Sequence, residues 1–196
     1  MNGFDDIETN DFPLRFHSYS GVPVGSHQGA FLAQRKHSRH TGVDLYTRDG
    51  APVFAMNDGV VVSVENFTGK HDGSTWWEDT QCMLIKHWFG VVCYGEITPR
   101  FLKVGDQIYK GDCIGEVKRV LKEGKERPDI KGHSLSMLHV ELYDEDQKVA
   151  SRSYALDKDI LRDPTPYLKE ALGYNGIELF TTSAIRVPEE GGFITE

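Results

Sequence analysis

The chain has 196 residues, which is the usual length of one domain and is long enough to bury a hydrophobic core. It carries 22 Lys and Arg residues against 30 Asp and Glu residues, so its formal net charge is −8, and the sequence contains no basic run. This acidic balance argues against nucleic acid and anionic membranes as partners.

The first twelve residues, MNGFDDIETNDF, are polar and acidic. They lack the basic region and the apolar region of a secretory signal peptide. No later stretch approaches the ~18 consecutive apolar residues of a membrane helix. We therefore expect no membrane span and a cytoplasmic location for the chain as written, with action outside the cytoplasm only through another export route.

An irregular N-terminal arm is predicted for residues 1–30, where the sequence is first aperiodic and then rich in Gly, Ser and His. Three histidines lie in this arm or just after it: His17, His27 and His37. A single histidine is more often a surface or core residue than a ligand, and we interpret all three in that way. His37 is the strongest exception because it stands three residues before His40.

Half of a metal site is predicted by His40 and Asp44. The segment 41–46 alternates apolar and polar residues, which is the pattern of a strand. Since His40 and Asp44 have the same parity, both side chains should project from one face of that strand.

Two turn signals, Asp49-Gly50 and Asn57-Asp58-Gly59, divide the next part of the chain into short strands, which we expect to pair as antiparallel hairpins. The predicted strands cover residues 41–46, 52–56 and 60–66.

Residues 68–80 have the composition of a long loop that contains Trp76 and Trp77. Two adjacent tryptophans are costly to leave in water. One interpretation is that a ring folds back over the core, and the other is that a ring lines a substrate groove.

A hairpin is predicted around Trp88-Phe89-Gly90, between strands at residues 82–87 and 91–94, and it delivers Glu96 to the end of a strand. Turn signals recur every ~8 to 12 residues from here on, which is typical of an antiparallel β sandwich or barrel. The next predicted strands lie at residue 108 and at residues 113–121.

Three cysteines, Cys82, Cys93 and Cys113, are odd in number and show no C-x-x-C spacing. This pattern does not indicate a disulfide framework or a thiolate metal site, and we interpret the three as buried reduced thiols.

The second half of the metal site is predicted in the strand 136–143, SMLHVELY. Period two places three aliphatic residues in the core, and it places His139 and Glu141 together on the opposite face. Two histidines and one aspartate around an open fourth position form the ligand set of a catalytic zinc. After this strand, Asp163 is predicted to cap a short helix at residues 167–172.

Three motifs in consecutive order carry a resemblance to a known family. They are H-x-x-x-D followed by G-x-P-V-x-A-x-x-D-G-x-V from His40 onward, V-G-D-x-I-x-K-G-D-x-I-G at residues 104–115, and L-H-V-E-L at residues 138–142. Together they resemble the lysostaphin-type (LytM/β-lytic) zinc metallopeptidases, which cut peptide cross-links of bacterial cell walls. The resemblance implies a mainly β domain of the duplicated hybrid motif type over residues 31–172. Residues 173–196 contain a few β-forming residues, and we predict that they form a C-terminal extension with one more strand and a tail. The resemblance also implies Zn²⁺ bound by His40, Asp44 and His139.

The chain departs from this family at two catalytic histidines. Where the family has a Tyr-x-His-Leu segment, this chain has Glu96 in place of the histidine. Where the family has His-x-His, this chain has Met137 in place of the first histidine. Glu96 could act as the general base, as glutamate does in H-E-x-x-H peptidases, or it could merely pair with Arg100. Met137 cannot transfer a proton.

Two other residues near the last ligand are candidates for the site. His133 could swing in to replace a missing histidine, and we rank it below Glu96. Glu141 is expected to orient a ligand.

Three hypotheses follow. The leading one is a zinc metallopeptidase-like hydrolase that acts on peptide bonds, by resemblance those of peptidoglycan cross-links. The alternative is a non-catalytic zinc-binding module that keeps the fold for recognition or structure. A structural domain with a vacant site is less favoured because all three ligands remain.

Overall fold

The structure is a computed structural model that describes residues 9–15, 21–36, 38–73, 75, 77–122, 136–144, 147–150 and 160–173. The described chain is mainly antiparallel β-sheet with one short α-helix, which confirms the predicted fold class. No helix within these ranges is long and apolar enough to cross a membrane. The strands are β1 (Val43–Thr47), β2 (Pro52–Phe54), β3 (Gly59–Asn66), β4 (Gln81–His87), β5 (Gly90–Pro99), β6 (Gln107–Ile108), β7 (Cys113–Val117), β8 (Ser136–Tyr143) and β9 (Leu161–Arg162).

All nine strands belong to one sheet, whose main path runs in the order β1-β8-β5-β4-β3-β6 and does not close into a barrel. Strand β5 is the branch point of this sheet. Its residues 91–95 pair with β8, and its residues 97–99 pair with β7, which in turn pairs with β2. One edge of β5 therefore pairs with β8 along its first part and with β7 along its last part.

The predicted hairpins among the first three strands are wrong, although the strands themselves exist. Strand β1 pairs with β8, β2 with β7, and β3 with β4 and β6. The reason is visible at the Asp49-Gly50 turn. Gly50 N–H donates to the carbonyl of Val117 and Asp49 Oδ1 accepts from Arg119 N–H, so the turn is tied to β7 and not to its own flanking strands.

Two predicted strand bounds also change. Strand β7 ends at Val117 and not at residue 121, because Val120 and Leu121 pair with the loop at Glu78 and Trp77. The hairpin around Trp88 and Phe89 is confirmed, but its second strand runs on to Pro99.

The core lies on one face of the β1-β8-β5 part of the sheet. Leu138, Val140 and Leu142 of β8 are fully buried there, as their period-two spacing predicts. The opposite face carries a second apolar cluster that includes Cys82 and Cys93, whose thiols are free, whereas the free thiol Cys113 is only partly buried.

The short helix α1 (Thr165–Ala171) packs on the core through Leu168. It begins two residues before the predicted start. Asp163 Oδ1 accepts the N–H of Thr165, but Pro164 occupies the cap position itself. Gly173, with φ 73°, follows the helix end as predicted.

The described parts of the predicted N-terminal arm contain no strand, only a bridge between Leu14 and Val53. The predicted domain boundaries at residues 30 and 172 stay predictions, and the predicted C-terminal extension lies almost entirely outside the described residues.

Candidate metal centre

Three side chains meet at the edge of the sheet where β1 pairs with β8. His40 lies three residues before the start of β1, and Asp44 and His139 are directly opposite each other in the β1–β8 register. His40 Nε2 lies 3.0 Å from Asp44 Oδ1 and 3.2 Å from His139 Nδ1, and Asp44 Oδ1 lies 2.8 Å from His139 Nδ1. The structure thus brings together the three residues whose parity predicted a shared face, and all three are buried.

The outer nitrogen of each imidazole fixes which ring nitrogen can accept a cation. His40 Nδ1 is 2.9 Å from the carbonyl of Ala30, which can only accept, so Nδ1 carries the proton. His139 Nε2 is 3.0 Å from Glu141 Oε1, and Nε2 therefore also carries a proton. In their neutral forms the two rings point the lone pairs of His40 Nε2 and His139 Nδ1 at each other and at the Asp44 carboxylate.

With both rings neutral, three acceptor atoms would face one another without a donor, and either a proton or a metal cation between them removes that repulsion. A tetrahedral zinc with bonds of about 2.0–2.2 Å places its ligand atoms roughly 3.3–3.6 Å apart. The separations of 2.8, 3.0 and 3.2 Å found here are somewhat shorter, so the three side chains need to move apart only slightly to bind it. Two imidazole nitrogens and one carboxylate oxygen are also ligands that zinc accepts. The residues therefore fit a zinc ion. They are the one group of this kind in the part of the chain that the structure describes.

The charges at the site agree with this assignment. Burial tends to raise the pKa of Asp44, but His40, Arg35 and His139 hold it well below its ordinary value, so Asp44 is ionised. Burial tends to lower the pKa of His139, but its hydrogen bonds to Asp44 and Glu141 raise it to about 10. Without a metal, a proton is held where the cation would bind, and metal binding releases it.

Glu141 supports the candidate metal ligand His139 from the same strand. It is completely buried and accepts hydrogen bonds from His139 Nε2–H, from the hydroxyl of Tyr143 and from the side chain of Thr41. Burial tends to raise its pKa, but these contacts hold the pKa below its ordinary value. A fixed carboxylate behind a histidine ligand sets the ring orientation and tautomer. Glu141 is thus placed for the orienting role expected of it.

Glu96 lies inside β5 and not at a strand end, which corrects its predicted place. Gln81 pairs with Ile97 and Met83 with Tyr94, so Gly95 and Glu96 together oppose a single residue of β4. This β-bulge gives Glu96 a positive φ of 61°. Such a conformation costs about 1–3 kcal/mol in a non-glycine residue and concentrates at functional sites.

The Glu96 carboxyl is buried beside the ligand strand. The neighbouring residue Gly95 pairs with His139. The exposed fraction of Glu96 is 8%, and Glu96 Oε2 has no hydrogen-bond partner among the described residues. Burial and the charge of Asp44 raise its pKa to about 8. Within the same ranges no ion pair joins Glu96 to Arg100.

Met137 takes part in an apolar cluster and not in a polar network. It packs with Tyr46 and Val120, and Trp77 and Leu121 lie partly buried against the same cluster. Trp77 therefore folds back on the protein, which is the first of its two interpretations. Four other predicted candidates, His17, His37, Trp76 and His133, lie outside the described residues.

Two residues near the site escaped sequence reasoning as functional candidates. His27 is buried, accepts the N–H of Gly29 at Nδ1 and packs edge-on against Tyr46. Arg35 Nη2 lies 2.6 Å from Asp44 Oδ2. Both residues lie in irregular segments of the chain that reach the site through turns. The period-two pattern that predicted the candidate ligands therefore does not include them.

Comparison with known proteins places this geometry in a family. The sequence profile of Peptidase family M23 matches residues 38–151, which is more than half of the chain. No protein with a curated description matches the chain significantly.

Solved structures with TM-scores above 0.5 share the fold. CbpA from L. salivarius REN is 20% identical with a TM-score of 0.54, over 85% of this chain and 98% of that one. The antimicrobial peptidase lysostaphin from Staphylococcus simulans is 19% identical with a TM-score of 0.51, over 85% of this chain and 60% of that one. A zinc-containing peptidase from Vibrio cholerae is 22% identical with a TM-score of 0.47, over 68% of this chain but only 36% of its own length.

Proposed function

Because the chain belongs to Peptidase family M23, we propose that it is a zinc-dependent peptidase whose metal ligands are His40, Asp44 and His139. The observation that carries this proposal is the convergence of three atoms that can bind a metal, two imidazole nitrogens and one oxygen of an ionised carboxylate, each within 3.2 Å of the others. Zinc, when bound, supplies a Lewis acid for the peptide carbonyl and for water. The remaining chemistry has to come from the chain itself.

Glu96 is proposed as the general base. Glu96 Oε2 has no hydrogen-bond partner among the described residues. Glu96 follows Gly95, which pairs with His139. It also lies in a bulge with a positive φ, so its side chain does not follow the alternating pattern of the rest of β5. The pKa of Glu96, raised to about 8 without a metal, falls when a cation is added nearby, toward the neutral range in which a base works best.

The proposed substrate is a peptide, and peptidoglycan cross-links are the first class to test. Support comes from the family and from the shared fold with lysostaphin, an antimicrobial peptidase. The chain spans only about a third to 60% of the length of some of the solved relatives, so the substrate is a proposal for this chain in its own right.

A second candidate function is a zinc-binding module without catalysis. Met137 favours it, because this side chain is buried in an apolar cluster two residues before the ligand His139 and offers no proton. In that case zinc would hold β1 to β8, and Glu96 would have no catalytic part.

The test compares the wild type with Glu96→Gln on glycine-rich and stem-peptide substrates at matched zinc content. Glu116→Gln is the control, because Glu116 is exposed on the neighbouring strand β7. We expect Glu96→Gln to lower the rate by about 10²- to 10⁴-fold and the control to leave it unchanged. Equal, measurable rates for wild type and Glu96→Gln would reject Glu96 as the base. A wild type that binds zinc but shows no rate on any substrate would favour the binding module.

A further inference from the structure

Arg35 reaches the metal ligands from a tight turn that precedes them. Its backbone N–H donates to the carbonyl of Ser38, and a bridge between Gln34 and Arg39 closes the turn, which then leads directly to His40. The Arg35 side chain folds back toward β1 and stays 31% exposed. The turn therefore fixes the base of a long side chain whose end lies at Asp44.

The guanidinium of Arg35 makes two kinds of contact. Nη2 donates to Asp44 Oδ2 at 2.6 Å, and Nε and Nη2 both donate to the carbonyl of Gln28 at 3.3 and 3.1 Å. The other carboxylate oxygen, Asp44 Oδ1, is the one that contacts both histidine ligands. The two oxygens of Asp44 are thus divided between the candidate metal site and Arg35.

This division matters because a carboxylate can bind a metal through one oxygen or through both. If Asp44 used both oxygens, the second would occupy a coordination position that a catalytic zinc keeps open for substrate or water. An arginine bound to Oδ2 competes with the metal for that oxygen through a strong, charge-assisted hydrogen bond.

We propose that Arg35 is a positioning residue of the metal centre, which holds Asp44 as a single-oxygen ligand and so keeps the coordination position open. This inference rests on the zinc site of the proposed function. It does not depend on which peptide is cut or on the part played by Glu96.

The shape of the Arg35 guanidinium suits this position, because it donates to the Asp44 carboxylate and to the Gln28 carbonyl at the same time. A lysine at this place would keep a charge near Oδ2, but it would lose the planar fork that also holds the carbonyl of Gln28.

A purely structural role is the competing explanation. The Gln28 contact ties the chain before the turn to Arg35, and the hydrogen bond from Asp44 N–H to the carbonyl of Gly29 ties the same chain to β1. Loss of a structural tie would lower the stability of the metal-free protein without changing how Asp44 binds a metal.

The experiment compares the wild type with Arg35→Gln, Arg35→Lys and the control Arg39→Gln. Arg39 is exposed in the same turn, so the control changes the charge equally without touching Asp44. Zinc affinity is measured by competition with a chromogenic chelator. The visible absorption of the cobalt(II)-substituted protein reports coordination number, because its intensity falls when a fifth ligand atom binds. Thermal unfolding of the metal-free proteins reports the structural role.

For Arg35→Gln we expect zinc affinity to fall about 10- to 100-fold and the cobalt absorption to weaken, while Arg39→Gln matches the wild type. For Arg35→Lys we expect a loss of roughly three- to tenfold with the wild-type cobalt spectrum.

The proposal is overturned if Arg35→Gln changes only the unfolding temperature and keeps the wild-type zinc affinity and cobalt spectrum. Should Arg35→Gln fail to fold, Arg35→Lys decides, and wild-type zinc affinity in that variant would overturn the proposal. A wild type that binds no zinc would reject the proposed metal centre itself, and Arg35 with it. If the wild type binds zinc and Arg35→Gln has the same zinc affinity and cobalt spectrum, only the proposed role of Arg35 is rejected and the metal centre stands.

Discussion

His87 makes the stability of this fold depend on pH. Its Nδ1–H donates to the carbonyl of Asp58 and its Nε2 accepts from the hydroxyl of Tyr94, which itself accepts the N–H of Met56. This chain is satisfied only when the ring is neutral. Burial lowers the pKa of His87 from its ordinary 6.5 to about 4, against the opposing effect of the carbonyl of Asp58.

The sign and size of the effect follow from this difference. Between pH 6.5 and 4 the unfolded chain binds a proton at His87 and the folded chain does not, so acid favours unfolding. The interval of 2.5 pH units, at about 1.4 kcal/mol per unit, gives a loss of roughly 3–4 kcal/mol in the free energy of unfolding from this residue. The contribution is fully present above pH 6.5.

The assay is urea unfolding of the metal-free protein at intervals from pH 7 to pH 4. In His87→Asn the overall stability drops, and the curve should be flatter than that of the wild type by up to ~1.4 kcal/mol per pH unit. His71→Asn is the matched control because His71 is an exposed histidine, and it should keep the wild-type slope. Parallel curves for the wild type and His87→Asn would refute the argument.

Two further predictions concern the metal centre. His139→Ala should abolish zinc binding in metal analysis while His71→Ala keeps the wild-type content, and retained zinc in His139→Ala would show that the ligands are wrongly assigned. Glu141→Gln, which keeps the shape but removes the charge behind His139 Nε2, should weaken zinc binding about 10- to 100-fold in chelator competition. The same affinity as in the wild type would mean that the charge of Glu141 is not needed to hold the His139 ring in place.

Strand β8 shows how much of the site the sequence predicts. Its bounds were predicted correctly, and its alternation placed Leu138 and Val140 in the core and His139 and Glu141 on the other face. Period two is a local property of an extended chain, so it can be read without knowledge of the partner strand.

Pairing is not local, and there the prediction failed. The Asp49-Gly50 dipeptide indicates a turn. Such a turn can join two strands that pair with each other in a hairpin, or it can lead the chain to another part of the sheet, and the dipeptide alone does not distinguish the two. Hydrogen bonds to Val117 and Arg119, about seventy residues away, decide between them. The bulge at Glu96 was missed for a related reason, because it depends on where β4 and β5 shift register. Next to it, Gly95 admits the ring of Phe67, which a Cβ atom would meet at 2.6 Å.

The direct pairing of Asp44 with His139 has a consequence for how the chain folds. The two residues are 95 positions apart, so the β1–β8 contact closes a long loop and forms late compared with the hairpin of β4 and β5. A slip of one residue between β1 and β8 would turn His139 toward the core and replace it with an aliphatic side chain. A metal ion bound by all three ligands is compatible with only one alignment of these strands. Zinc would therefore select the correctly assembled chain from misaligned ones, and zinc added during refolding should raise the yield of native protein without speeding the formation of the local hairpin.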